Sequence, residues 1–190
     1  MADNYHLHLP LLTFLLDNGA NIDRRTSEGH TALYELAIKG HTKGVRLLLE
    51  RGADPHIKTN SGSTPSSAAA SWGYQEVVAM LLEVEDIDKT GSLLLHDTVY
   101  QSHVGLARYL IESGFDVNAR NDRGQTPLHL AAFTGVNEKN RAQRMRELLI
   151  ANGADLNAKD MQRRRPLEAR EAHGMKEAAK QIRSHMSKDD

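Results

Sequence analysis

The chain has 190 residues, of which 39% are hydrophobic and 26% are charged, a composition typical of one globular domain. Its net charge of −1 gives no general attraction to nucleic acid or to a membrane surface, and the absence of cysteine excludes disulfides, thiolate catalysis and cysteine-ligated zinc. The chain shows no secretory signal pattern and no apolar run near the ~20 residues that span a bilayer. We therefore expect a soluble cytoplasmic protein, with the nucleus as the alternative location.

The first predicted element is a helix over the apolar run 11–16. Only residues 5–9 stand where a preceding helix would be needed, so this end is either a degenerate cap or a truncated unit. His6 and His8 could lie on one side of a strand, but no third ligand follows nearby. We therefore predict no metal site.

A segment of eight residues recurs along the chain. Its most complete copy, at 125–132, reads Q-T-P-L-H-L-A-A. Weaker copies surround it, and the five copies begin at His30, Ser63, Ser92, Gln125 and Arg164, at intervals of 33, 29, 33 and 39 residues. A second marker runs in phase with these copies and contains Gly19, Gly52, Gly114 and Gly153. Two markers in phase at a period near 33 residues indicate a repeat protein.

Each copy predicts a pair of helices. Thr126 can cap the first helix with its hydroxyl, and Pro127 suits the first helical position. Ala131 and Ala132 are small enough to let this inner helix approach the next repeat. A more apolar second helix follows and ends at a glycine in the left-handed conformation, after which a hairpin leads to the next repeat.

Two repeats depart from this pattern. The third is four residues short, Leu93 and Leu94 replace its Thr-Pro pair, and the segment 83–86 (E-V-E-D) has lost the helix-ending glycine. We expect weaker local stability there, because a helix cap contributes about 1 kcal/mol. The fourth has six extra residues near 136–141, which should lengthen its turn or extend its second helix.

The T-P-L-H-x-A segment and its period resemble the ankyrin repeat family from about residue 11 to about residue 184. The resemblance implies an all-α fold, an ankyrin-repeat solenoid of stacked helix-turn-helix units with short β-hairpin loops. One domain over 1–190 would divide into a partial repeat at 1–25, repeats at 26–58, 59–88, 89–120 and 121–159, and a capping repeat at 160–190 with a polar last helix over 177–183.

The resemblance also implies a non-catalytic module that binds a partner protein through its concave inner-helix face and hairpin tips. It needs no cofactor, and we expect a monomer. The candidate contact residues are Trp72, Tyr100, Phe133, Lys39, Glu35, Asp97, Gln101, Asn60, Asp122 and Arg123. The three aromatic residues among them would dominate binding if they are exposed. Packing against neighbouring inner helices is the alternative.

Two other functions compete with this interpretation. Glu35 and Asp97 could serve acid–base chemistry with His96 or His103, which predicts a deep pocket beside Asp97. Ordinary surface acids are the simpler alternative, and the resemblance gives His96 and His129 a structural hydrogen-bonding role.

The C-terminal third is basic and could contact nucleic acid or an acidic partner, although solvated cap residues are the simpler explanation of its charges. These charges belong to Arg141, Arg144, Arg146, Arg163, Arg164 and Arg165.

Asn118 and Asn157 are candidates for hydroxylation by the resemblance alone. Each lies in a predicted hairpin, and each follows a leucine and an aspartate at the offsets that asparagine hydroxylases prefer in ankyrin proteins. The alternative is that each asparagine satisfies backbone groups of its hairpin.

Overall fold

A computed structural model describes residues 8–86, 89, 93–133, 139–166 and 168, without the side chains of Phe133 and Lys139. Within these residues it contains nine helices and no strand. Their contacts group the chain into two compact units, Met1–Asp86 and Ile87–Asp190. His6, the Phe133 side chain and the predicted capping helix over 177–183 lie outside the described residues.

The N-terminal unit contains five helices. They are α1 (Leu9–Asp17), α2 (Ala32–Ile38), α3 (Thr42–Glu50), α4 (Pro65–Trp72) and α5 (Gln75–Val84). Within this unit α2 packs against α3 and α4, and α5 packs against α3 and α4. Leu33, Val45, Leu48, Val77 and Leu81 form its fully buried core. The predicted repeats at 26–58 and 59–88 therefore each contain one helix pair.

The predicted first helix is present as α1, but it has no buried residue. Leu11, Phe14 and Leu15 are all exposed. The Nδ1 atom of His8 accepts a hydrogen bond from the Leu11 N–H at 3.2 Å and so caps the helix. The apolar pattern of 11–16 therefore predicted the helix but not its burial.

The C-terminal unit contains four described helices, α6 (Leu94–Tyr100), α7 (Val104–Glu112), α8 (Pro127–Phe133) and α9 (Lys139–Ala151). Helix α6 packs against α7 and α8, and α9 packs against α7 and α8. Leu95, Leu110, Leu128, Met145 and Leu149 form its buried core. Helix α9 has 13 residues where α7 has 9, so the insertion of the fourth repeat extends the second helix.

Helix capping follows the sequence in the N-terminal unit. The Thr31 hydroxyl accepts from the Tyr34 N–H at 3.2 Å, and Thr64 forms a reciprocal capping box with Ser67. Leu93, at the same position ahead of α6, makes no side-chain cap. The predicted damage to the third repeat is therefore real at this position.

The predicted hairpins are closed turns rather than paired strands over the described residues. The Thr26 N–H donates to the His30 carbonyl at 2.9 Å, and the Thr59 N–H donates to the Ser63 carbonyl at 2.9 Å. The Asn60 N–H then joins neighbouring turns by donating to the Glu28 carbonyl at 3.1 Å. None of the described helices combines the length and apolar character needed to cross a membrane.

Candidate partner-binding surfaces

Trp72 is the most prominent exposed side chain of the N-terminal unit outside α1. It is the last residue of α4, which ends at Gly73 in the left-handed conformation with φ of 76°. Its side chain is 61% exposed, although a tryptophan usually gains stability from burial. Trp72 is therefore accessible to a partner at the end of α4, as its predicted role as a contact residue requires.

The Glu35 carboxylate is already neutralised within its own unit. His30 Nδ1 donates a hydrogen bond to Glu35 Oε1 at 2.8 Å, and Lys39 Nζ lies 3.2 Å from Glu35 Oε2. The hydrogen bond from His30 lowers the pKa of Glu35, partial burial opposes this shift, and Lys39 adds to it. Glu35 and Lys39 therefore offer a partner a compact dipolar pair rather than two separate charges.

The amide of Asn60 connects two turns of the N-terminal unit. Its Nδ2 atom donates to the Ser27 carbonyl at 2.9 Å, and its Oδ1 atom accepts from Arg25 Nη2 at 3.2 Å. The residue is nevertheless exposed. A partner that contacts Asn60 would therefore meet a side chain whose orientation is fixed.

Tyr100 is the corresponding exposed aromatic residue of the C-terminal unit. It is the last residue of α6 and is 62% exposed, and Gln101 beside it is exposed as well. Phe133 is the last residue of α8, but its side chain lies outside the description. The structure therefore places two of the three predicted aromatic residues at the exposed ends of inner helices.

Asp97 is half-buried on α6 and its side chain has no hydrogen bond or ion pair within the described residues. Burial raises its pKa to about 6. An open cavity of about 630 Å³ does exist in this unit, but it is lined by Ser102, His103, Val104, Gly105, Arg141 and Arg144, and Asp97 does not line it. Among the described residues, no three His, Asp or Glu side chains come together to hold a metal ion.

The two histidines of the repeated segment bind backbone carbonyls. His96 Nε2 donates to the Gln125 carbonyl at 2.9 Å, and His129 Nε2 donates to the Arg164 carbonyl at 3.0 Å. Burial lowers the pKa of both imidazoles. Both rings are held by backbone carbonyls, which is the contact expected of the structural role implied by the resemblance.

The basic surface predicted for the C-terminal third is smaller than its arginine count suggests. Arg146 is buried and its Nη1 atom donates to the Ala131 carbonyl at 3.2 Å. Arg164 pairs with the buried carboxylate of Asp160 at 2.9 Å, and Arg165 lies 3.9 Å from Glu168. Arg141, Arg144 and Arg163 remain exposed. The sequence could not separate these groups, since every arginine has the same charge wherever it lies.

The two candidate asparagines differ in how firmly they are held. Asn118 Nδ2 donates to the Gly153 carbonyl at 2.9 Å, and its Oδ1 atom accepts from the Asp155 N–H at 2.7 Å. Asn157 is exposed, and its N–H donates to Asp155 Oδ1 at 2.8 Å. The Asn118 amide thus satisfies backbone groups, and hydroxylation of either residue stays a prediction.

Asp122 and Arg123 form the exposed tip of a turn in the C-terminal unit. The turn closes when the Asn121 N–H donates to the Gln125 carbonyl at 3.0 Å. The Arg123 carbonyl accepts from the Met161 N–H at 3.0 Å, so this tip is joined to the following turn. Both side chains are therefore exposed on a hydrogen-bonded turn, and their contact with a partner stays a prediction.

Sequence reasoning did not single out Ser102. Its φ of 61° is left-handed, as it is at Gly40 and Gly73, which hold the same place between the two helices of their repeats. A serine in a column of glycines was the available signal.

The matches to family models cover most of the chain. A model described as ankyrin repeats in three copies matches residues 1–92, and a model of ankyrin repeats in many copies matches residues 95–143. The chain therefore belongs to the ankyrin repeat family, and the all-α prediction is confirmed. Ankyrin repeats form a non-catalytic protein-interaction fold.

Three relatives illustrate the breadth of this similarity. The chain is 29% identical over 180 residues to human "SH3 and multiple ankyrin repeat domains protein 2", which covers 92% of this chain and 9% of that protein. It is 35% identical over 153 residues to human "Neurogenic locus notch homolog protein 1", with coverages of 77% and 6%. A "Putative ankyrin repeat protein" of Rickettsia felis is 32% identical over 147 residues, with coverages of 77% and 37%. The chain thus spans a small part of its much longer relatives.

Proposed function

We propose that this chain is a protein-binding module that engages a partner protein through the ends of its inner helices and its turn tips. The exposed aromatic side chains Trp72 and Tyr100 carry the proposal. Each ends an inner helix, and each leaves more than half of its surface in solvent. Large aromatic residues contribute disproportionately to binding energy when a partner excludes water from them.

The paired charges of α2 support recognition by apolar contact and hydrogen bonding rather than by ion pairing. Glu35 is paired with both His30 and Lys39 within the N-terminal unit. An added ion pair would have to displace these internal contacts, and exposed ion pairs contribute little. We therefore propose a partner that covers Trp72 and Tyr100 with apolar or planar groups.

The test uses the full chain as bait to capture a partner, whose affinity is then measured by isothermal titration calorimetry. Trp72→Ala and Tyr100→Ala should each weaken binding by more than about 1 kcal/mol if they are central contacts. Phe14→Ala is the matched control, since Phe14 is an equally exposed aromatic residue on α1, 61% exposed, and lies outside the proposed surfaces.

Full affinity in the Trp72→Ala and Tyr100→Ala variants would contradict the proposed surface. Equal losses in all three variants would contradict it as well, because they would indicate a general loss of exposed apolar area. Helical circular dichroism checks that each variant is folded.

A further inference from the structure

Glu35 and Asp97 occupy the same position of two repeats, since each is the fourth residue of an inner helix. The two carboxylates differ in their surroundings. Glu35 is bonded to His30 and paired with Lys39, and both contacts lower its pKa. The Asp97 side chain has no hydrogen bond or ion pair within the described residues. Only Asp97 therefore has its charge available to a partner.

This difference follows from the residue that comes directly after each helix. Lys39 lies four residues after Glu35, and Gln101 lies four residues after Asp97. Side chains at this spacing lie on one side of a helix, so an acid in this position can pair with a cation there. Lysine provides that cation for α2, whereas α6 has an exposed neutral amide in its place. Helix α6 thus lacks the counter-ion that α2 carries.

The unpaired charge of Asp97 is unfavourable for the folded chain. The residue is half-buried, burial raises its pKa to about 6, and no cation among the described residues lowers it. At neutral pH the group is still mostly ionised. Removing a carboxylate from water costs free energy unless a counter-ion replaces the lost hydration. A cation brought by a partner would therefore offset a desolvation cost that the free protein already has.

Tyr100 adds an aromatic ring on the same side of α6. It lies three residues after Asp97 and is 62% exposed. A guanidinium group is planar, stacks on aromatic rings and donates paired hydrogen bonds to a carboxylate. A lysine ammonium group is a compact, strongly hydrated charge without this planar geometry. An unpaired carboxylate beside an exposed ring therefore favours arginine over lysine.

We propose that Asp97, Tyr100 and Gln101, which we name the α6 site, bind an arginine side chain of the partner protein. Its guanidinium group donates to the Asp97 carboxylate and stacks on the Tyr100 ring, and the Gln101 side-chain oxygen accepts a further hydrogen bond. The inference rests on the proposed function, because it specifies the planar group that covers Tyr100. Glu35 does not bind arginine in this way, since Lys39 already pairs with its carboxylate.

The first experiment titrates the full chain with a blocked Gly-Arg-Gly peptide and follows backbone amide shifts by NMR. The same peptide with citrulline is the neutral planar control, and the peptide with lysine keeps the charge without the plane. We expect saturable shifts at 97–101 with the arginine peptide, none with the citrulline peptide, and binding of the lysine peptide that is at least about threefold weaker.

Absence of saturation with the arginine peptide overturns the proposal. Equal affinity of the citrulline peptide overturns it as well, because the charge of Asp97 would then have no role. Equal affinity of the lysine peptide contradicts the stacked guanidinium group.

Variants then separate the charge of Asp97 from its surroundings. Asp97→Asn keeps the shape of the side chain but removes its charge, and should raise the dissociation constant of the arginine peptide at least about fivefold. Gln101→Lys supplies, at an exposed position, the counter-ion that Lys39 gives to Glu35, and should weaken binding to a similar extent. Glu35→Gln is the matched control in the N-terminal unit and should change the constant by less than about twofold.

Equal weakening in Asp97→Asn and Glu35→Gln would show non-specific attraction of a cation and overturn the proposal. Unchanged affinity in Gln101→Lys would overturn it too.

Failure of this inference is distinguishable from failure of the proposed function. If the arginine peptide does not bind while Trp72→Ala and Tyr100→Ala still weaken the captured partner, the aromatic contacts stand and the arginine assignment is wrong. If the arginine peptide binds the α6 site but those two variants hold the captured partner with full affinity, the proposed function is wrong and the α6 site still binds arginine.

Discussion

The third and fourth repeats place a histidine at the same position but hold it differently. His129 Nδ1 accepts from the Thr126 hydroxyl at 2.9 Å and from the Thr126 N–H at 3.1 Å, while its Nε2 atom donates to Arg164. His96 makes the same Nε2 bond, but its buried Nδ1 atom has no partner within the described residues. Leu93 occupies the position of Thr126 and has no hydroxyl. The threonine and the histidine of the repeated segment therefore act as a pair.

The ends of the outer helices show a second contrast. Gly114 and Gly153, which follow α7 and α9, have left-handed φ values of 90° and 83°. Helix α5 ends instead at Glu85, which is only 8% exposed and whose carboxylate oxygens have no hydrogen-bond partner among the described residues. Burial raises the pKa of Glu85 to about 7, and the nearby Ser66 hydroxyl opposes this shift. A buried acid that has no oppositely charged partner among the described residues is thus found where the regular repeats have a glycine.

The largest expected effect is on the pH dependence of stability. Glu85 has a pKa of about 7 when folded and an ordinary value of 4.5, so the folded state binds the proton more tightly. The free energy of unfolding should therefore fall as pH rises from about 4.5 to about 7, and then level off. Glu85→Gln should remove the contribution of Glu85 to this slope, leaving that of Asp97, and should stabilise the protein at pH 8 by up to about 3 kcal/mol. Urea unfolding at pH 5 and at pH 8 measures both quantities.

Glu83→Gln serves as the control, because Glu83 is exposed on the same helix. It should leave the slope unchanged. If Glu85→Gln showed the same pH dependence of stability as the natural sequence, the buried carboxyl group of Glu85 would not contribute to the free energy of unfolding as proposed.

The next effect concerns the intact pair of the fourth repeat. Thr126→Val removes the hydroxyl but keeps the side-chain shape, and leaves His129 Nδ1 with only the weaker backbone contact. We expect a loss of about 1–2 kcal/mol in the free energy of unfolding, measured by urea denaturation. In a His129→Leu background the same change should cost less. An equal cost in both backgrounds would show that the two side chains are not coupled.

The smallest effect is repair of the third repeat. Leu93→Thr supplies a hydroxyl both for His96 Nδ1 and for capping α6, and should add about 1 kcal/mol of stability. Leu93 is 41% exposed, so the change also loses part of its apolar burial, which limits the net gain. Amide exchange should be faster in α6 than in α8 before the change, and the difference should narrow after it.

Leu93→Ala is the control, because it removes the leucine side chain without adding a hydroxyl. It should not slow amide exchange in α6. If α6 and α8 were equally protected in the natural sequence, the expected weakness of the third repeat would be wrong.

The sequence predicted those features that a local pattern determines. The period located the helices, and Thr31, Thr64 and Pro127 stand where the helices begin. The equivalent positions of Trp72 and Tyr100 followed from counting residues within the repeat, whereas their exposure was one of two alternatives that the sequence left open.

Features that depend on contacts between repeats were not predictable in this way. The burial of Glu85 and of Arg146 and the unpaired nitrogen of His96 all depend on which group lies opposite in three dimensions. A single sequence gives the spacing of side chains along one helix, but it does not show which side chains of another helix they contact.

The hydrogen bonds from the two histidines to backbone carbonyls both run from one repeat to the repeat that follows it in the chain. His96 binds the residue just before the Thr-Pro of the following repeat, and His129 binds Arg164, just before the next helix begins. If the C-terminal repeat unfolds first, His129 and then His96 lose the backbone carbonyls that accept their hydrogen bonds, and the buried imidazole N–H groups are left without partners. If the N-terminal side unfolds first, the histidine leaves with its own repeat, and the carbonyl of the following repeat can accept a hydrogen bond from water instead. We expect truncations from the two ends to differ in cost for this reason, even when equal numbers of residues are removed.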